Sequence, residues 1–217
     1  GIIASGHKIK WYTSGTRVDV FNRASDAELA LIKKSGADTL KFGAESGSNR
    51  ILDLMQKGIH WEDTVQANLR AKKMGIIPAF ALMIGFPTET FADIHQTIDL
   101  FVRLKKDNPQ AEFEIIGTYT ALPQTPLYEL ALKHGLKPPQ RLEGWIDWLS
   151  DEYDLAGKKI PWFNSRDRKR IGNITYMSIL ANSSLNAING ISRNDALRDF
   201  LKFCFVPISR FERFKLA

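Results

Sequence analysis

The chain has 217 residues, enough to bury one substantial core, and its 30 Lys and Arg against 24 Asp and Glu give a formal charge of +6. That balance suits an anionic ligand or nucleic acid and suits an ordinary basic surface equally well, so by itself it selects no partner. The single cysteine, Cys204, excludes an internal disulfide and a thiolate metal cage built from this chain alone, and no stretch approaches the roughly 18 apolar residues of a membrane span.

One cysteine fits a reducing, cytoplasmic setting, and the N-terminus lacks a signal-peptide pattern. The chain opens on Gly1 and runs straight into strand-like sequence, which suggests a piece of a larger protein. "HKIKWYTSGTRVDV" reads as a strand ending in a polar mouth at Thr16 to Asp19. "SDAELALIKKSG" reads as a helix, with Ser25 and Glu28 at capping-box spacing and Gly36 as stop. "DTLKFGA" is the next strand. "NRILDLMQKG" and "WEDTVQANLRAKKMG" are a short and a longer helix, the second stopped by Gly75. "IIPAFALMIGFP" is nearly all apolar, as a strand covered on both faces would be. "TETFADIHQTIDLFVRLKKDNP" is an amphipathic helix stopped by Pro109, and "EFEIIGTYTALP" a further strand. "TPLYELALKHG" is a helix with Thr125 as N-cap, Pro126 at its first position and Gly135 as stop.

About four strands alternating with helices imply repeated β-α units and a parallel sheet, either a partial (β/α) TIM-like barrel or a small open doubly wound sheet. No GxGxxG or GxxxxGKS/T run is present, which disfavours a dinucleotide or P-loop site. In both architectures ligands meet the carboxyl ends of the strands: here Thr16 to Asp19, Gly43 to Ser48, Gly85 to Thr90 and Thr118 to Gln124. From about Arg141 the sequence turns aromatic and less periodic, with a helix expected after Ser165 and another within residues 194–214. The division expected is 1–138 for the barrel part and 139–217 for a C-terminal helical extension.

The mouth Gly43-Ala44-Glu45-Ser46-Gly47-Ser48 lets backbone approach a ligand at its glycines. Glu45 would accept hydrogen bonds from a diol or an ammonium while Ser46 and Ser48 donate. The plainer alternative makes Ser48 a helix cap and pairs Glu45 with Arg17 across adjacent strand ends.

The run "TRVD", "KFGAESGSNRILDLMQKG", "AKKMGI" and "IGFPTET" resembles the second half of a radical S-adenosylmethionine (SAM) domain, most nearly the cobalamin-dependent group that includes the anaerobic magnesium-protoporphyrin IX monomethyl ester cyclases and many Fe–S oxidoreductases. The resemblance covers roughly residues 7 to 130 and implies a partial barrel holding SAM and a 4Fe–4S cluster, with a 5′-deoxyadenosyl radical as the reagent. It implies that Gly43, Glu45 and Ser46 meet the SAM ribose or amino-acid end, that Ile84 and Gly85 face adenine, and that Thr118, Tyr119 and Thr120 lie near adenine or substrate. Arg17 is expected to partner the SAM carboxylate or Glu45. The cluster-binding CxxxCxxC of such domains is absent and cannot be replaced by Cys204, so this chain alone is expected to be inactive, completed by a missing N-terminal part and a preceding cobalamin domain. The family spacing Gly-x-x-Glu is also broken: Gly85-Phe86-Pro87-Thr88-Glu89 has one residue more, which makes Glu89 a first-turn carboxylate favoured by the helix dipole.

Partners expected are SAM and an unidentified small molecule, with neither membrane nor nucleic acid. A non-catalytic β/α module that binds a ligand or partner, and an RNA-modifying relative, are the alternatives. His7, His60, His95 and His134 stand apart with no metal-ligand spacing. Trp145, Trp148, Tyr153, Trp162 and Phe163 read as packing residues before they read as a wall for a flat substrate, Arg166, Arg168, Lys169 and Arg170 as a solvated helix start, and Cys204 as a buried small hydrophobe.

Overall fold

The structure is a computed structural model and describes residues 1–150 and 154–182. Strands β1 (Trp11–Thr16), β2 (Ala37–Glu45), β3 (Ile77–Ile84) and β4 (Glu112–Thr118) form one sheet in the order β1-β2-β3-β4, with every neighbouring pair parallel. Parallel neighbours require crossovers, and helices supply them: α1 (Val18–Arg23) and α2 (Asp26–Lys34), then α3 (Asn49–Leu54) and α4 (Trp61–Lys73), then α5 (Phe91–Asp107). After β4 come α6 (Pro126–Lys133), α7 (Leu142–Ser150) and α8 (Ser165–Asn182).

Among the described residues one face of the sheet is packed. Leu40, Phe42 and Ala44 of β2 and Phe80, Leu82 and Ile84 of β3 alternate into a core with Phe21, Leu29, Val65, Ile94, Ile98 and Leu104 from the helices. A chain of rings runs through it, Phe21 to Phe42 at 5.0 Å, Phe42 to Phe80 at 5.6 Å and Phe80 to Phe113 at 5.9 Å between centroids. The opposite face carries Thr39, Lys41, Gly43 and Glu45 on β2 and Ala81 and Met83 on β3, all half-buried, with exposed Tyr12 and Ser14 on β1. There Lys41 and Glu114 form an ion pair of 2.6 Å across the alanines of β3. The apolar run of β3 therefore has a filled helical face and a thinner inner face, which corrects the expectation of cover on both sides. One packed and one open polar face is the geometry of a barrel wall rather than of a doubly wound sheet, so the partial (β/α) barrel holds.

The local signals explain the crossovers. Ser25 and Glu28 form the capping box that starts α2, and Thr90 with Asp93 forms the one that starts α5. Thr90 is thus the cap, one residue beyond Glu89. Helices α1 and α7 escaped the sequence reading: residues 18–23 have no side-chain cap and run on from the strand mouth, and residues 142–150 lie in the aromatic, less periodic stretch. Helix α8 lies along β4, whose outer edge it satisfies: Ser178 Oγ accepts the Ile116 N–H at 2.9 Å, and the hydroxyls of Thr118 and Thr175 meet at 3.3 Å. This is a protected edge. The second tail helix expected within 194–214, along with Cys204 and Tyr153, lies outside the described residues.

Candidate functional site at the strand mouths

Because all four strands are parallel, their carboxyl ends share one edge, and Arg17, Glu45, Gly85 and Tyr119 leave it together. They form two neighbouring groups of different character, one polar at β1 and β2 and one apolar at β3 and β4.

The polar group centres on Glu45. The register of β2 on β3 shifts between Gly43 and Glu45, and Glu45 takes a left-handed φ of 63°, a conformation that costs a non-glycine residue energy and clusters at working sites. The bend folds the carboxylate back over Gly43, on the open face. A Cβ on Gly43 would lie 2.5 Å from Glu45 Oε1 and 3.1 Å from Lys57 Nζ, so glycine is what leaves room for this charged pair. The Lys57 ammonium donates to Glu45 Oε1 at 2.6 Å, the two side chains being 23% and 14% exposed. Arg17, expected to pair with Glu45, instead bonds Asp19 at 2.9 Å and reaches the Lys57 carbonyl at 3.4 Å. Sequence reasoning missed Lys57, whose one visible signal is its place just before Gly58 in "LMQKG".

The two residues expected to act together leave β2 on opposite sides, as the alternation along the strand requires. Ser46 is fully buried, its hydroxyl 3.1 Å from Thr97 Oγ1 on α5, and the same threonine accepts the Gly47 N–H at 3.0 Å. Ser46 thus anchors the mouth to α5 while Glu45 faces the opening. Ser48 sits at the N-cap of α3 without capping it, donating instead to Asp93 Oδ1 at 2.6 Å.

Asp93 and Glu89 buttress the next mouth. Burial raises the Asp93 carboxyl, but hydrogen bonds from Arg50, Ser48 and Thr90 outweigh it and hold the group well below the usual carboxylate range. Glu89 is not a first-turn carboxylate. It precedes the α5 cap, is 5% exposed, and its Oε2 accepts the N–H groups of Gly85 and Phe86 while Oε1 is buried with no hydrogen-bond partner among the described residues. Burial pushes its pKa up to about 8, against the pull of those two N–H groups.

At the apolar group Ile84 is fully buried in the core, and Gly85 turns with a φ of 91°. The loop before α8 returns over this turn: Ile160 fills the space where a Gly85 Cβ would stand, at 3.3 Å, and the Trp162 indole N–H donates to the Gly85 carbonyl at 3.1 Å. Buried Asp154 anchors the loop by accepting the N–H groups of Lys158 and Lys159. Tyr119 packs tilted against Phe86 at 4.8 Å, and burial pushes its hydroxyl up to about 12. Thr118 is committed to Thr175, and Thr120 is half-buried just beyond. The side chains of Ser46 and Thr118, expected at a ligand, thus serve the scaffold.

The remaining candidates are quiet. All four histidines are exposed, and the described residues contain no cluster of three metal-ligating side chains. Trp148 and Trp162 pack against the core clusters, Arg170 stacks on Phe91 at 3.8 Å, and Arg168 packs on Gly157. Among the described residues no helix is long and apolar enough to cross a membrane.

The comparisons agree with this geometry. Residues 2–101 match the radical SAM superfamily. Over 131 residues the chain is 36% identical to the uncharacterized methyltransferase PH0819 of Pyrococcus horikoshii, covering 60% of this chain and 27% of that protein. Over 66 residues it is 44% identical to the tRNA-2-methylthio-N(6)-dimethylallyladenosine synthase of Moorella thermoacetica, covering 30% of this chain and 15% of that enzyme. The chain thus spans under a third of these relatives. Its fold is shared with the cobalamin-dependent S-adenosylmethionine radical enzyme OxsB, at a TM-score of 0.50 and 15% identity over 90% of this chain and 33% of that one. The parallel half-barrel with its glutamate-bearing second mouth is thus the setting in which residues 2–101, just under half of the chain, match the radical SAM superfamily.

Proposed function

We propose that the strand mouths bind the nucleoside part of SAM, and that the intact protein is a radical SAM enzyme of the group-transfer type. One observation carries the reading: the Glu45 carboxylate, on a strained residue, lies over a glycine whose missing side chain makes room for it and for the Lys57 ammonium at the common edge of a parallel sheet. A carboxylate there accepts both hydroxyls of a ribose. The half-buried Ala81 and Met83 beside it offer the base an apolar wall, while Ile84, Gly85 and Tyr119 build the rim behind it. The donor set fits a nucleoside with one polar and one apolar end.

The donor set does not fit an iron–sulfur cluster. Three thiolates are needed and the sequence has one cysteine, so the cluster would be held from outside these 217 residues, and a cobalamin domain, if the parent follows the group it resembles, likewise. Together SAM and the cluster supply radical chemistry. This chain's residues orient the nucleoside, hold the ribose through Glu45 and exclude water at the Gly85 rim through Ile160 and Trp162.

Methyl or methylthio transfer is favoured over the ring closure of the cyclases: the relatives above bear methyltransferase and methylthio-transferring names, and Trp148 and Trp162 are used in packing rather than facing a flat substrate. The tRNA-modifying relative also removes the ground for excluding RNA as the substrate.

Calorimetric titration of the chain with SAM tests the reading. Binding that Glu45→Ala weakens at least tenfold is expected; an affinity unchanged in that variant would remove Glu45 from the site.

A further inference from the structure

We propose that Lys57 is a positioning residue: its ammonium fixes the Glu45 carboxylate over Gly43 and thereby sets the site's preference for ligands that carry a vicinal diol. The inference rests on the ribose reading above and names the group that makes it selective.

A left-handed glutamate at a bulge aims its Cβ but leaves its remaining torsions free, and a carboxylate accepts both hydroxyls of a diol only when held in one orientation. Lys57 supplies that hold. Its Nζ lies 2.6 Å from Glu45 Oε1, and among the described residues no hydrogen bond engages Oε2. The lysine is itself delivered by rigid backbone. Gln56 has a φ of 53° and Gly58 a φ of 70°, the Lys57 N–H bonds the Leu52 carbonyl at 3.0 Å, and Arg17 donates to the Lys57 carbonyl from the neighbouring mouth. With both partners mostly shielded, solvent screens the pair less than a surface ion pair. Gly43 completes the arrangement, since a side chain there would occupy the space of both charged groups.

The probes are adenosine and 2′,3′-dideoxyadenosine, titrated by calorimetry against the full chain. The wild type is expected to prefer adenosine about tenfold, the value of hydrogen bonds to a charged acceptor. Lys57→Met is expected to bring that ratio close to one while leaving dideoxyadenosine affinity unchanged, and Lys57→Arg to restore most of it. A merely structural loss would weaken both ligands together, so equal weakening overturns the proposal, as does a wild-type ratio in Lys57→Met or a failure of arginine to restore it. Lys57→Gln reads the same ratio should the methionine variant fold poorly. Glu45→Gln separates the two ideas. If it levels the ratio while Lys57→Met does not, Lys57 falls and the ribose reading stands; if it leaves the ratio intact, the ribose reading falls and takes the Lys57 proposal with it.

Discussion

The Trp162 indole donates to the Gly85 carbonyl across 77 residues of chain, and this one bond ties the C-terminal loop to the mouth of the third strand. It joins the segment read from sequence as an appendage to the rim of the candidate site. Trp162→Phe keeps the ring packing on Tyr119 and loses the bond. It is expected to cost about 1 kcal/mol, read in a denaturant melt, and to speed amide exchange around Gly85 and Phe86 with little change along β2.

Two glycines of one mouth separate function from folding. At Gly43 an added methyl meets the ends of two flexible side chains, Glu45 Oε1 and Lys57 Nζ. Gly43→Ala is therefore expected to melt within about 1 kcal/mol of wild type and to lose nucleoside affinity. At Gly47 the methyl would lie 2.2 Å from the Gln96 carbonyl oxygen and 2.5 Å from its carbon, both backbone atoms of α5. Gly47→Ala must push that helix away, and a destabilisation of about 1–3 kcal/mol or more is expected.

Glu89 imposes a pH dependence of definite sign. Its folded pKa of about 8 lies above the ordinary value of 4.5, so the folded state binds this proton more tightly than the unfolded one. The stabilising contribution is complete below about 4.5 and is lost as pH rises through 8. Glu89→Gln should flatten the stability profile between those two values in urea melts at a series of pH values. Asp93 acts in the opposite sense, stabilising the fold above its ordinary carboxylate value of 3.8, with that contribution lost as acid protonates it.

Ser178 closes the outer edge of β4. Ser178→Ala leaves the buried Ile116 N–H without its acceptor, and a loss of about 1–3 kcal/mol is expected. Protection of that amide in hydrogen exchange should fall with it.

In the core, Phe80 stacks on Phe42 and tilts against Phe113 with no exposed surface. Phe80→Ala should cost about 3–5 kcal/mol, measured as the shift in denaturant midpoint.

What the sequence by itself determined is what short-range rules control. Alternating apolar strands, the Ser25–Glu28 capping box and the glycine stops fix four β-α units, and with them the edge at which Arg17, Glu45, Gly85 and Tyr119 emerge. Tertiary structure alone decided what each mouth residue does there. Glu45 and Ser46 are adjacent in sequence and the strand period of two parts them, but that Ser46 meets Thr97 under α5 while Glu45 folds back over Gly43 at a bulge is set by packing between distant segments. Lys57 over Arg17 as the partner of Glu45, Glu89 as a buried brace, and Ile160 with Trp162 as the cover of Gly85 all depend on contacts between distant segments, whose pairing follows from three-dimensional packing rather than from spacing along the chain.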